Sequence, residues 1–155
     1  MKDSQRAFDW ITTLLDELGH PYAVVGGLAA NVYGSKRPLF DIDLDVPTFA
    51  LREIADRVQA YVAFGPSRFR DEQFDIELLT LRYGEQEIDL TAAEDVLLFD
   101  RGAATWRQVP TDLKASELHE VFGKRVPVMS RDALIAYKRM LARDPDLEDV
   151  IAISG

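Results

Sequence analysis

The 155-residue chain contains no cysteine. Disulfides and thiolate metal sites are thereby excluded, and a reducing compartment suits it. No apolar run is long enough to cross a bilayer. Met1–Arg6 leads into an amphipathic pattern rather than a signal-peptide core. A cytoplasmic protein without membrane association is the expectation. Histidine is scarce: His20 and His119 lack metal-ligand spacing to one another, and both are expected at the surface. Basic runs are short, none longer than Lys36-Arg37 or Lys124-Arg125, and the net charge is −9. A broad grip on a phosphate backbone is not what such a chain offers. A compact anion held through a divalent cation is compatible with it, because the metal supplies the positive charge. Repeats, low-complexity tracts and linkers are also missing, so residues 1–155 read as one domain. With 47 % apolar and 29 % charged residues, the chain has the composition of a folded protein of a size that can bury a core.

Periodicity supplies the elements. Phe8, Ile11, Leu14, Leu15 and Leu18 recur at helical spacing, so residues 4–18 form a helix that Gly19 stops. Tyr22-Ala-Val-Val25 reads as a buried strand, Gly26-Gly27 ends it, and Leu28–Tyr33 is a short helix closed by Gly34. Asp41–Val46 alternates strictly, the period of a half-buried strand. Thr48 is a candidate N-cap for a helix whose apolar face is Leu51, Ile54, Ala55, Val58 and Val62. Strands Phe74–Leu81 and Glu87–Thr91 form a hairpin around Tyr83-Gly84-Glu85. Residues 92–116 carry no clear signal. A second hairpin, Leu118–Phe122 with Lys124–Met129, turns at Gly123, and Pro127 argues for an edge strand. Ser130 caps a helix through Leu141, Asp144-Pro145 breaks it, and a last helix spans residues 146–153. The fold class is α+β, a mixed β-sheet flanked by helices.

Asp41 and Asp43 project from one face of their strand, with Asp45 beyond them, about 7 Å apart along the chain direction. Two such carboxylates can ligate a hard cation such as Mg²⁺. Taken alone, the pattern reads first as the solvated face of an amphipathic strand. Gly26-Gly27 adds weight, because a glycine turn between a strand and a helix lets a phosphate approach the backbone.

The segment Val24-Val-Gly-Gly-Leu-Ala-Ala-Asn-Val-Tyr-Gly-Ser-Lys-Arg-Pro-Leu-Phe-Asp-Ile-Asp-Leu44 resembles the core signature of the polymerase-β-like nucleotidyltransferase superfamily. That signature is Gly-Gly or Gly-Ser, a gap, then Asp-hydrophobic-Asp-hydrophobic. The gap of thirteen residues between Gly27 and Asp41 fits it, and Arg37 stands where bacterial members often carry Arg. The stretch from Val126 to Lys138, followed by Asp146–Asp149, is similar to the tail of small members related to abortive-infection type toxin proteins. Leu39 departs from the pattern, where many members carry Thr.

The resemblance implies a nucleotidyltransferase fold and a third metal-binding, catalytic carboxylate beside Asp41 and Asp43. Asp89 is the first candidate for it, and Glu77, on the partner strand, is its rival. It further implies Mg²⁺ (or Mn²⁺), an NTP substrate whose phosphates meet Gly26 and Gly27, and charge neutralisation by Lys36, Arg37 or Lys138. NMP would pass to a hydroxyl acceptor on RNA, protein or a small molecule. The alternative is a nucleotide-binding module without turnover, one half of a toxin–antitoxin or phage-defence pair. The chain has no second helical domain of the kind larger members use, so a homodimer or a cognate partner protein is expected to complete the acceptor site. Trp10, Trp106 and Phe69 are read as core aromatics before base-stacking ones. The acidic stretch Asp144–Asp149 is read as a solvated helix start.

Overall fold

The computed structural model describes residues 3–155; Met1 and Lys2, part of the amphipathic N-terminal reading, lie outside the described residues. The elements run α1 (Asp3–Leu18), β1 (Ala23–Val25), α2 (Gly26–Val32), β2 (Asp41–Val46), α3 (Ala50–Arg57), β3 (Val62–Arg70), β4 (Phe74–Tyr83), β5 (Gln86–Asp100), β6 (Thr105–Gln108), β7 (Glu117–Val121), β8 (Lys124–Val128), α4 (Arg131–Leu141) and α5 (Asp144–Ser154). One mixed sheet has the order β3-β4-β5-β2-β1-β8-β7, with β6 paired to β5. The α+β expectation holds.

Alternation in β2 and β5 divides the two faces of the sheet. Ile42, Leu44, Ile88 and Leu90 point into a core shared with Phe8, Ile11 and Leu15 of α1, Leu28 of α2 and Ile54 of α3. A smaller apolar cluster, Ile76, Val96, Leu98 and Leu141, joins β4 and β5 to α4. β2 and β5 run parallel, with Asp41 opposite Glu87 and Asp43 opposite Asp89.

Several local expectations are corrected. Gly26 and Gly27 are the first residues of α2 rather than a turn ahead of it. Thr48 does not cap α3: the helix starts at Ala50, Phe49 holds the cap position, and the Thr48 N–H donates to the Glu94 carboxylate at 3.0 Å. The apolar spacing through Val62 overran a boundary, since α3 ends at Arg57 and Val62 opens β3. β8 lies inside the sheet, between β1 and β7, so Pro127 is not at an edge. It is tolerated because β1 pairs with β8 only at Val24 and Val128, with the Met129 N–H donating to the Val24 carbonyl at 2.9 Å. The second hairpin turns at Phe122-Gly123, both at positive φ, the geometry a two-residue hairpin loop demands. The Ser130 cap on α4 is present: its hydroxyl accepts the Ala133 N–H at 3.2 Å. Pro145 sits in the first turn of α5, where its missing N–H costs nothing.

Leu90 is fully buried at the centre of this arrangement. Leu90→Ala should cost about 2–5 kcal/mol of folding stability, read from the midpoint of a urea titration.

Candidate active site

The face of β2 and β5 opposite the main core carries Asp41, Asp43 and Asp45 beside Glu87, Asp89 and Thr91. Carboxylate oxygens of Asp41, Glu87 and Asp89 all lie within 4.8 Å of one another. Asp43 falls outside that three-residue set but stands directly against it, opposite Asp89 in register. All four line a cleft of about 780 Å³, a size suited to a nucleotide-scale ligand. The donors are hard oxygens, the class that Mg²⁺ and Mn²⁺ select.

Crowding like charges in a partly desolvated cleft favours protons over bare carboxylates. Burial pushes Asp89 up to about 7 against the opposing effect of the Thr80 hydroxyl, which donates to it at 2.7 Å; Glu87 and Asp41 add repulsion. Burial raises Asp43 well above the usual carboxylate range, Asp89, Asp41 and then Asp45 reinforce the shift, and Lys138 offsets part of it. Asp41 is raised by burial and by Glu87. Asp45, deeper in the cleft, is raised by burial to about 7 although the Thr111 hydroxyl donates to it at 2.6 Å. A divalent cation would relieve this repulsion, so the residues present fit such an ion.

Gly26 borders the same spot. It has φ +62°, and a Cβ added there would collide with the Asp43 carboxylate. Glycine is therefore required for the close approach of α2 to β2 as well as for the backbone angle. Nothing crowds Gly27, which also lines the cleft.

The basic candidates are placed less simply. Lys36 is exposed and does not line the cleft. Arg37 lines it, but its guanidinium grips Asp149 with both Nε (2.8 Å) and Nη2 (2.7 Å). Lys138 is buried on α4: it is 3 % exposed, with Nζ 2.9 Å from Asp149 and 3.4 Å from Asp146. The Ser35 hydroxyl donates to Asp149 at 2.7 Å as well. Burial alone would raise the Asp149 carboxyl, but Arg37, Ser35 and Lys138 hold it below its ordinary range. Asp146 and Asp149 are thus buried, so the reading of residues 144–149 as a solvated helix start is corrected at these two positions, while Asp144, Pro145, Leu147 and Glu148 are exposed. Glu77 does not line the cleft; it sits near Arg68, at 3.8 Å.

Sequence reasoning passed over Glu87 as a ligand, although Glu87-Ile-Asp89 repeats the alternation of Asp41-Ile-Asp43. It named Asp149 only within the Asp146–Asp149 tail resemblance and as part of a solvated helix start, and it passed over Tyr137, which lines the cleft. His20 is corrected from surface to half-buried: its side chain is 8 % exposed, with Nε2 3.3 Å from Glu53. His119 is half-buried against the Tyr33 hydroxyl. Trp10 packs on Tyr83 with ring centroids 4.8 Å apart, and neither tryptophan lines the cleft.

Two outcomes follow from this geometry. In metal-free protein, folded Asp89 and Asp45 keep protons that the unfolded chain releases between about pH 4 and pH 7. The native state binds more protons across that window, so stability falls as pH rises through it. Thermal unfolding in chelator should give a lower Tm at about pH 8 than at about pH 5, and Mg²⁺ should restore it at the higher pH. Gly26→Ala should lose roughly 1–3 kcal/mol from backbone strain plus the collision with Asp43, measured by thermal denaturation.

The family model of the aminoglycoside-2″-adenylyltransferases matches residues 8–153. Among curated proteins no sequence match is found. Similar solved structures include a candidate nucleotidyltransferase from Thermotoga maritima (TM-score 0.69, 19 % identity, 94 % of this chain and 91 % of that one). The lincosamide antibiotic adenylyltransferase LnuA, bound to lincomycin, aligns at TM-score 0.64 and 12 % identity over 100 % of this chain and 98 % of that one. ANT(2″)-Ia in complex with adenylyl-2″-tobramycin aligns at TM-score 0.61 and 17 % identity over 98 % and 88 %. At these identities the structures speak to the fold, which is that of the nucleotidyltransferases. The likeness to abortive-infection toxins has no counterpart in the family model or in these three structures. The family model spans nearly the whole sequence, and on that match the chain belongs to the aminoglycoside-2″-adenylyltransferase family.

Proposed function

We propose that this protein transfers AMP from ATP to a hydroxyl group of a small-molecule acceptor of antibiotic type, releasing pyrophosphate, with residues 1–155 acting as one domain. The observation that carries this reading is the convergence of Asp41, Glu87 and Asp89 within 4.8 Å, beside Asp43, in a cleft of about 780 Å³. The adenylyltransferase family match supports the choice of reaction.

Asp41, Asp43 and Asp89, with Glu87 beside them, would hold Mg²⁺ or Mn²⁺. Such an ion supplies charge neutralisation for the carboxylates and for the phosphate oxygens of the nucleotide. Asp89, held by the Thr80 hydroxyl, would also help to take the proton of the acceptor hydroxyl. Gly27, with open space where a side chain would stand, would let the phosphates approach the backbone, and Gly26 would bring that backbone close to the Asp43 carboxylate. Lys138 is the basic group nearest to that role, because its field already reaches Asp43. Arg37 contributes by orienting Asp149, which holds Lys138 in place.

The test is transfer of label from [α-³²P]ATP in the presence of Mg²⁺ to a panel of hydroxylated antibiotics. Asp41→Asn should lower the rate by about 10²–10³-fold, the scale of losing one transition-state charge stabiliser, while circular dichroism stays unchanged. If Asp41→Asn turns over as fast as the parent, the carboxylate site is misassigned.

A further inference from the structure

Gln86 is the first residue of β5, and alternation along the strand puts it on the core face with Ile88 and Leu90. It is 6 % exposed. An aliphatic side chain would suit such a position, because burying an amide costs free energy unless its polar atoms are matched. Each of them has a partner here. The Ser4 hydroxyl, at the start of α1, donates to Oε1 at 2.6 Å. Nε2 donates to the carbonyl of Phe40 and to the carbonyl of Glu87, both at 2.9 Å. Two carbonyl acceptors require the nitrogen at that end, so the partners fix which way the amide points.

Both carbonyls adjoin the carboxylate site. That of Phe40 belongs to the peptide bond leading into Asp41, and the other belongs to Glu87 itself. Asp41 and Glu87 are the first pair of the parallel β2–β5 ladder, with Asp43 and Asp89 two residues further in. A strand pair frays from its ends, so the first pair is the first to part. On its other side β2 pairs with β1 only from Asp43 to Asp45, which leaves Asp41 without a backbone partner there. Restraint through the side chains is weak as well. Arg82 reaches the Glu87 carboxylate at 3.5 Å from an exposed position. The buried Gln86 amide therefore ties the two backbones together at the end of the ladder where Asp41 and Glu87 stand.

We infer that Gln86 is a positioning residue for the carboxylate site, its amide bridging the Phe40 and Glu87 carbonyls and so setting how far Asp41 stands from Glu87. This rests on the reading of that site as metal-binding and extends it to a residue that touches neither metal nor substrate.

The experiment is Mn²⁺ titration of the intact protein, followed by electron paramagnetic resonance of the free ion, beside thermal unfolding in chelator. Gln86→Leu keeps the apolar alternation of the core face and removes the bridge. Its Kd for Mn²⁺ should rise roughly 10–100-fold, the scale of losing a group that orients metal ligands. Ser4→Ala leaves both donations in place and frees only the other end of the amide, so its Kd should rise about threefold, the scale of one neutral hydrogen bond. All titrations are run at a temperature where each variant is folded. A purely structural Gln86 would lower Tm in chelator and leave Kd unchanged, and that result overturns the inference while the metal site stands. If Gln86→Leu does not fold, Ser4→Ala decides: weaker Mn²⁺ binding supports the inference, and the parental Kd overturns it. If the parent itself binds no Mn²⁺, the metal-site reading fails and the inference falls with it.

Discussion

Two parallel strands in register bring Asp41 opposite Glu87 and Asp43 opposite Asp89, and four like charges are the result. Left to themselves, these carboxylates would push the strands apart. They stay together because the alternate residues of the same strands, Ile42, Leu44, Ile88 and Leu90, are fully buried on the other face. A slip of one residue would put every carboxylate into the core and every aliphatic side chain into the cleft, so register is fixed strongly by the hydrophobic effect. The repulsion is then expressed as raised proton affinity, which a bound cation would relieve, and it is the apolar core on the other face that holds the carboxylates together.

The opposite arrangement closes the other side of the cleft. Asp149 of α5 is 0 % exposed and gathers Arg37, Ser35 and Lys138. Burying these charges is costly unless each finds a partner, and here each does. The cluster ties the last helix to the loop before β2 and fixes Lys138 near Asp43. Removing the Asp149 carboxylate alone would leave two cations without their shared partner. Charge of one sign is therefore compensated inside the protein on the α5 side, and charge of the other sign is left uncompensated on the β2–β5 side, where a ligand can meet it.

Legibility followed the range of the interactions. β2 was readable to the residue because alternation is a property of neighbours, and α1 and α4 were readable because a helical stripe repeats within two turns. Asp89 could be picked out by the same alternation. β3 was not readable: Val62-Ala-Phe-Gly-Pro-Ser-Arg-Phe-Arg70 contains Gly-Pro and little alternation, and its strand state comes from pairing with β4 through two register shifts. The extension of β5 to Asp100 was hidden for a similar reason, since its second half changes partner from β2 to β6. His20 looked like a loop residue by sequence, yet α3 brings Glu53 and Phe49 over it.

By itself the sequence determined that Asp41 and Asp43 share a face, that glycine follows β1, and that so acidic a chain is compatible with an anion held through a divalent cation. All three follow from local geometry and net charge. Only the tertiary structure decided that Glu87 joins Asp41 and Asp89, and that Arg37 and Lys138 are bound up with Asp149. Those outcomes depend on which strands are neighbours and on where α5 docks. Such contacts form between residues as far apart as Arg37 and Asp149, and no periodicity along the chain encodes them.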